Sequence, residues 1–277
     1  MDARSMPTAN TLYPYASLQQ ARVDALYAAL VLEVYGAAPQ WQVAEMYAIA
    51  GYAEVQLAEN VCAGVPLSVV SLGGVSPGSP LTQSQLLRIA IGHFDSAAKH
   101  ASASDSMRAF SAIGKARALL DLDSATAAAA AVAAVPANFG YDLQFSSTTL
   151  PNPLALYLGA QVYVTSDKEG GDGLDFGTAA DPRLPTQNLG TSADDLTQLI
   201  VPTSDSNTSV PILLASGIEG RLIAAEADLN SGVSSLWLSE LNTLRTNGTF
   251  TTQPASNGGV DTCLLYTSPS PRDRQKS

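Results

Sequence analysis

Histidine, cysteine and tryptophan are nearly absent from this chain, with two of each among 277 residues. The two histidines, His93 and His100, fall on one stretch, and no G-x-S-x-G turn accompanies them, so no serine nucleophile has a base to serve it. Seven residues apart on a helix, they share a face at about 10 Å, too far to hold one metal. Cys62 stands alone once Cys263 is set aside with the tail discussed below, which excludes an internal disulfide and a multi-cysteine metal site. Charged residues make up only 14%, and the balance is acidic: 14 Lys and Arg against 25 Asp and Glu, a net charge of −11. That balance argues against nucleic acid, whose phosphates need clustered basic residues, and against anionic lipid surfaces. No apolar run reaches the roughly 18 residues that span a bilayer. Ala25 to Val34 is short and contains Glu33, and Met1 to Arg4 shows neither a basic n-region nor an apolar h-region. The glycine-rich stretches lack the Gly-Lys-Ser/Thr ending of a phosphate loop, and no cofactor site is expected.

What the chain has is helical periodicity. Leu86 to Ala98 carries apolar residues at spacings of three and four; Ala109 to Leu122 and Ala125 to Val135 repeat the pattern before Pro136 stops it. Ala112, Ala116, Leu119, Ala128 and Val132 sit at intervals similar to those of a tetratricopeptide unit, where small residues let paired helices approach closely. Leu18 to Val34 and Val43 to Val61 are two earlier helices broken by Gly36-Ala37-Ala38-Pro39. Thr82 is the expected N-cap of the third helix, after a Gly/Pro/Ser loop over Ser71 to Pro80. Helical pattern returns at Ile218 to Asn230 and Leu236 to Thr246, with Gly232 between and Gly248 as the expected C-terminal cap. The predicted fold is all-α: tetratricopeptide-like hairpins over about 18–136 and 218–246, in one domain, around a loop-rich insert over about 137–217.

The tail has a different origin. Cys263-Leu264-Leu265-Tyr266-Thr267-Ser268-Pro269-Ser270-Pro271-Arg272-Asp273 matches one reading frame of a widely used transposase adapter residue for residue. Residues 263–277 therefore read as non-native, and the natural chain is expected to continue past Thr262. Without them the charge is near −13, from 11 basic and 24 acidic residues, after removal of Arg272, Arg274, Lys276 and Asp273.

Several segments together resemble one family. Ala44 to Ala53 (AEMYAIAGYA) and Leu57 to Pro66 (LAENVCAGVP) are similar to the early helix of SusD/RagB outer-membrane nutrient-binding lipoproteins. Phe94-Asp95-Ser96-Ala97 and Gly114 to Leu120 resemble that family's tetratricopeptide helices, and Asp181-Pro182-Arg183-Leu184 its DPR element. Glu219 to Ala227 and Leu241 to Arg245 resemble its returning helices. The resemblance implies a non-enzymatic protein that captures an oligosaccharide or other nutrient for a SusC-like TonB-dependent receptor. It also implies a lipid anchor in the outer membrane for the full-length protein, although no signal peptide or acylated cysteine stands near Met1. The alternative is a tetratricopeptide adaptor whose groove takes a peptide or protein.

The candidate ligand contacts are Trp41, Phe139, Tyr141, Phe145, Tyr157 and Tyr163, whose rings could form a platform for the apolar face of a sugar. Each insert ring has a second reading, as an anchor of irregular chain onto the helices beneath; Phe176 belongs with them. Trp237, beside Leu238 and Leu241, reads as core. Asp167 to Asp175 gathers four carboxylates among glycines, but its spacing is not that of a calcium loop and a solvated turn is expected. Nothing sets any carboxylate pair apart as a glycosidase acid and base.

Overall fold

Thr82 opens the most clearly marked helix. In the computed structural model its hydroxyl accepts from the Gln85 backbone N–H, and the Gln85 side chain accepts from the Thr82 N–H, a reciprocal cap. The structure describes residues 8–36, 39–61, 64–101, 104–159, 186–191, 198–202 and 207–246. Along them run α1 (Thr8–Tyr35), α2 (Gln40–Asn60), β1 (Val65–Pro66), β2 (Val69–Ser71), β3 (Gly74–Ser76), β4 (Pro80–Leu81), α3 (Gln83–His100), α4 (Asp105–Asp121) and α5 (Ala125–Val132). There follow β5 (Gly140–Leu143), α6 (Pro153–Gly159), β6 (Thr186–Thr191), β7 (Gln198–Pro202), β8 (Ile212–Ser216), α7 (Gly217–Asn230) and α8 (Ser234–Thr246). Among the described residues strand is confined to short two-stranded pairs and one isolated bridge, so the predicted all-α, tetratricopeptide-like fold holds with small sheets added to it.

Helix ends follow local chemistry. The Ser104 hydroxyl caps α4 at Met107 N, and that of Ser216 caps α7 at Glu219 N. Gly232, at φ +80°, makes the left-handed turn between α7 and α8 that a side chain would resist. Gly248 lies outside the described residues. One expectation is corrected: the Ser71–Pro80 loop is not structureless. It pairs Val69 with Ser76 and Val70 with Val75 in a hairpin, while Val65 and Pro66 pair with Leu81 and Pro80. Strands of two or three residues are too short to show an alternation, which is why they escape a periodicity reading.

The chain divides into two compact units, Met1–Tyr141 with Leu214–Leu241, and Asp142–Leu213 with Asn242–Ser277. In the first, α1 packs on α2, α2 on α3, α3 on α4, α4 on α5 and α5 on α7, the neighbour-on-neighbour order of helical repeats. Its core centres on Phe94, fully buried where α2, α3 and α4 meet. The ring lies so close to Gly51 and Gly114 that a Cβ added there would sit 2.9 Å and 2.3 Å from it. Tyr52 meets Phe94 edge-on at 5.3 Å and stacks on Phe110 at 4.7 Å, extending an aromatic core through α4. Arg117 of α4 ties the helices together, with its Nε and NH2 on the two Glu59 oxygens of α2 at 2.6 and 2.7 Å and NH1 3.6 Å from Glu219 of α7. Burial raises the Glu219 carboxyl above its usual range, and the Arg117 charge opposes that rise.

In the second unit Asn152 is the organising residue. Almost fully buried, it accepts from Leu154 N and Ala155 N at the start of α6 and donates to the Val210 carbonyl. β6 and β7 pair antiparallel, with an irregularity between Asn188 and Thr191.

Candidate functional site

Three helices of the first unit bring a buried charge cluster to the wall of a cleft. Arg22, Leu26 and Leu30 lie four apart on α1 and so share a face; Ile89 and His93 do the same on α3, and Tyr47 comes from α2. With Leu67 to Val70, Gly78, Ser79 and Leu81 from the β1–β4 segment, they line a cleft of about 460 Å³. Val69, 60% exposed, stands at its rim.

Glu54 stands behind this wall with no solvent exposure. Its Oε1 accepts from Arg22 Nε at 2.7 Å, and its Oε2 lies 2.7 Å from His93 Nδ1. Arg22 also donates from NH1 to the Ser68 carbonyl at 2.9 Å, tying α1 to the chain just before β2. A buried carboxylate is tolerable only with such partners, because desolvation of an unpaired charge costs several kcal/mol. A second polar group adjoins it. The Tyr47 ring lies between the two histidines, 6.0 Å from His93 and 5.9 Å from His100, at interplanar angles of 22° and 20°. The Tyr47 hydroxyl donates to Glu33 Oε1 at 3.1 Å, and His100 reaches Glu33 through Nε2 and Gln40 through Nδ1. Burial, then the hydrogen bond to Glu33 and its charge, push the Tyr47 phenol up to about 12. The two histidines thus serve one aromatic stack, and among the described residues no group of three or more His, Cys, Asp or Glu could hold a metal ion.

The predicted ligand rings fall in different settings. Trp41, 42% exposed, begins α2. Glu45 lies one turn further on the same face, and its Oε1 accepts from the Tyr141 hydroxyl at 2.5 Å. Tyr141 also stacks on Phe110 at 3.8 Å, and burial followed by the bond to Glu45 raises its phenol well above the usual range. Phe139 is half-buried against the same core, and its carbonyl accepts from Gly217 N. Phe145 is half-buried in the second unit. Tyr157 lies on α6, but its side chain, like Tyr163, Phe176, Asp167 to Asp175 and Asp181 to Leu184, is outside the described residues. Trp237 is half-buried and its neighbour Leu238 is 41% exposed, so that face of α8 is less enclosed than a core reading requires.

The cluster of Arg22, Tyr47, Glu54 and His93 was not singled out from the sequence. Its one signal is a glutamate inside an otherwise apolar run, Gly51-Tyr52-Ala53-Glu54-Val55, where a charge must find a partner.

Compared with solved structures, the chain is similar to a SusD/RagB family protein from Bacteroides thetaiotaomicron VPI-5482. The TM-score is 0.60 at 15% sequence identity, over 82% of this chain and 57% of that one. The chain has a SusD/RagB-like fold. No family model and no curated protein matches the sequence. This chain thus spans little more than half the length of the SusD/RagB protein it resembles. Among its described residues, no helix is long and apolar enough to cross a membrane.

Proposed function

We propose that this protein is a non-enzymatic capture subunit, which binds an oligosaccharide or other small nutrient at the outer membrane and hands it to a SusC-like TonB-dependent receptor. In the full-length protein a lipid anchor would hold it there. The observation that carries the reading is the SusD/RagB-like fold over 82% of the chain. It agrees with the acidic balance of the chain, which disfavours nucleic acid. Trp41 is the ring we assign to the ligand, because its indole is exposed beside a face of α2 that Tyr141 and Glu45 hold rigid. Phe139 and Tyr141 serve that patch as anchors from behind, and Phe145, Tyr157 and Tyr163 are its candidate extensions.

A glycan and peptide binding screen on the whole chain tests this. Retention of an oligosaccharide, weakened at least several-fold by Trp41→Ala, is the expected result. Binding of peptides alone would replace capture with the adaptor role. In the genome, the complete gene is expected to begin with a lipoprotein signal and to lie beside a gene for a TonB-dependent receptor.

A further inference from the structure

We infer that the cleft between α1, α2 and α3 is a second ligand site, built for a neutral, apolar molecule that presents one hydrogen-bond donor, such as an aryl or alkyl alcohol, to Nε2 of His93. It does not include Trp41 and is separate from the capture surface proposed above.

Charge decides the chemistry of the wall. Glu54 is fully buried and receives Arg22 Nε–H on one oxygen, so its other oxygen is an acceptor facing His93. Nδ1 of His93 therefore carries the proton. This fixes the tautomer of the neutral imidazole and leaves a lone pair on Nε2. Nε2 has no partner among the described residues, and His93 forms part of the cleft wall.

The Arg22 charge and the Tyr47 hydroxyl are already paired. Arg22 is shared between Glu54 and the Ser68 carbonyl, and the Tyr47 hydroxyl is donated to Glu33. The Tyr47 ring lies near-parallel to both histidines, 6.0 Å from His93 and 5.9 Å from His100 between centroids, and its neighbours there are polar. Most of the remaining surface is aliphatic: Leu26, Leu30, Leu67, Val70, Leu81 and Ile89, with Ser68 and Ser79 the small polar exceptions. Such a lining penalises a molecule with hydroxyls on every edge, because each buried hydroxyl without a partner is costly. It penalises an anion too, since the Arg22 charge is already compensated. At about 460 Å³ the cleft has the size of a small-molecule site.

The test uses the full 277-residue chain and three ligands of one shape: 2-naphthol, 2-methoxynaphthalene and 2-naphthoate. Calorimetry at mildly alkaline pH gives affinities, and long-range 1H–15N spectra report the His93 ring nitrogens. The expected result is a bare Nε2 in the free protein that shifts when 2-naphthol binds. The methyl ether, which has no donor, and the carboxylate should each bind about tenfold more weakly or worse. Val69→Trp, at the exposed rim where the fold tolerates change, should abolish binding of all three. His93→Phe should erase the preference for the alcohol over the ether. Equal affinity for alcohol and ether, a preference for naphthoate, a bare Nδ1, or unchanged binding by Val69→Trp would each overturn the inference. None of those outcomes touches oligosaccharide capture, which is read by Trp41→Ala. Loss of oligosaccharide binding in Val69→Trp would instead merge the two sites and overturn this one as a separate site.

Discussion

His93 and Phe94 are adjacent on α3 and face opposite kinds of interior. Phe94 enters a dry contact where glycines on α2 and α4 press against its ring. His93, one residue earlier, turns to a wall where a buried carboxylate is shared with an arginine. The two regions depend on different things. The dry contact depends on shape, so added volume breaks it. The polar wall depends on pairing, so removal of a partner breaks it. A single helix therefore carries both the rigid centre of the scaffold and the chemistry beside its cleft.

The largest expected effect is on the polar side. Glu54→Ala strands the buried Arg22 charge and should cost about 3–5 kcal/mol in chemical denaturation. Arg22→Met together with Glu54→Leu should regain most of that loss, because it removes both charges at once. If the double variant is no better than Glu54→Ala, the cluster is holding packing and not charge. On the dry side, Gly114→Ala places a methyl 2.3 Å from a Phe94 ring that cannot withdraw. A loss of about 1–3 kcal/mol is expected there, and none at Gly92, where an added Cβ meets nothing within 4 Å.

A smaller effect isolates the Tyr47 stack by pH, through the difference between the wild type and one variant. Tyr47 has its phenol raised from 10.0 to about 12 by burial and by Glu33, so the native state holds that proton more tightly than the unfolded chain does. Its contribution is complete below pH 10 and disappears as the pH rises from 10 to about 12. Urea midpoints over that range should fall in the wild type and fall less in Tyr47→Phe. The smallest effect expected is from the tail: if the adapter-like Cys263 to Ser277 is foreign to the fold, deleting it should leave the unfolding midpoint unchanged.

The dry half was the more legible in the sequence. Thr82 and Gln85 announce the start of α3, and the period of Leu86, Leu87, Ala90, Phe94 and Ala97 marks the face it buries. Small residues at positions such as Gly114 and Ala116 fit close helix pairing, although which ring they would meet is a tertiary fact. The polar half was largely hidden. Periodicity assigns a residue to a face but does not name its partner, and Arg22 and Glu54 are 32 residues apart on different helices. The spacing of His93 and His100 places them on one face of α3, but the stack they make with Tyr47 depends on how α2 crosses α3. The β2–β3 hairpin beside the cleft was hidden for another reason, because its three-residue strands carry no measurable alternation.

The central claim is that this scaffold binds without altering what it binds. The most direct measurement incubates the whole chain with an oligosaccharide library, isolates the retained sugars and compares their masses before and after. The account predicts that a subset is retained with every mass unchanged after prolonged incubation. Shortened or modified products formed by the chain, or a chain that retains no sugar and selects peptides instead, would contradict it.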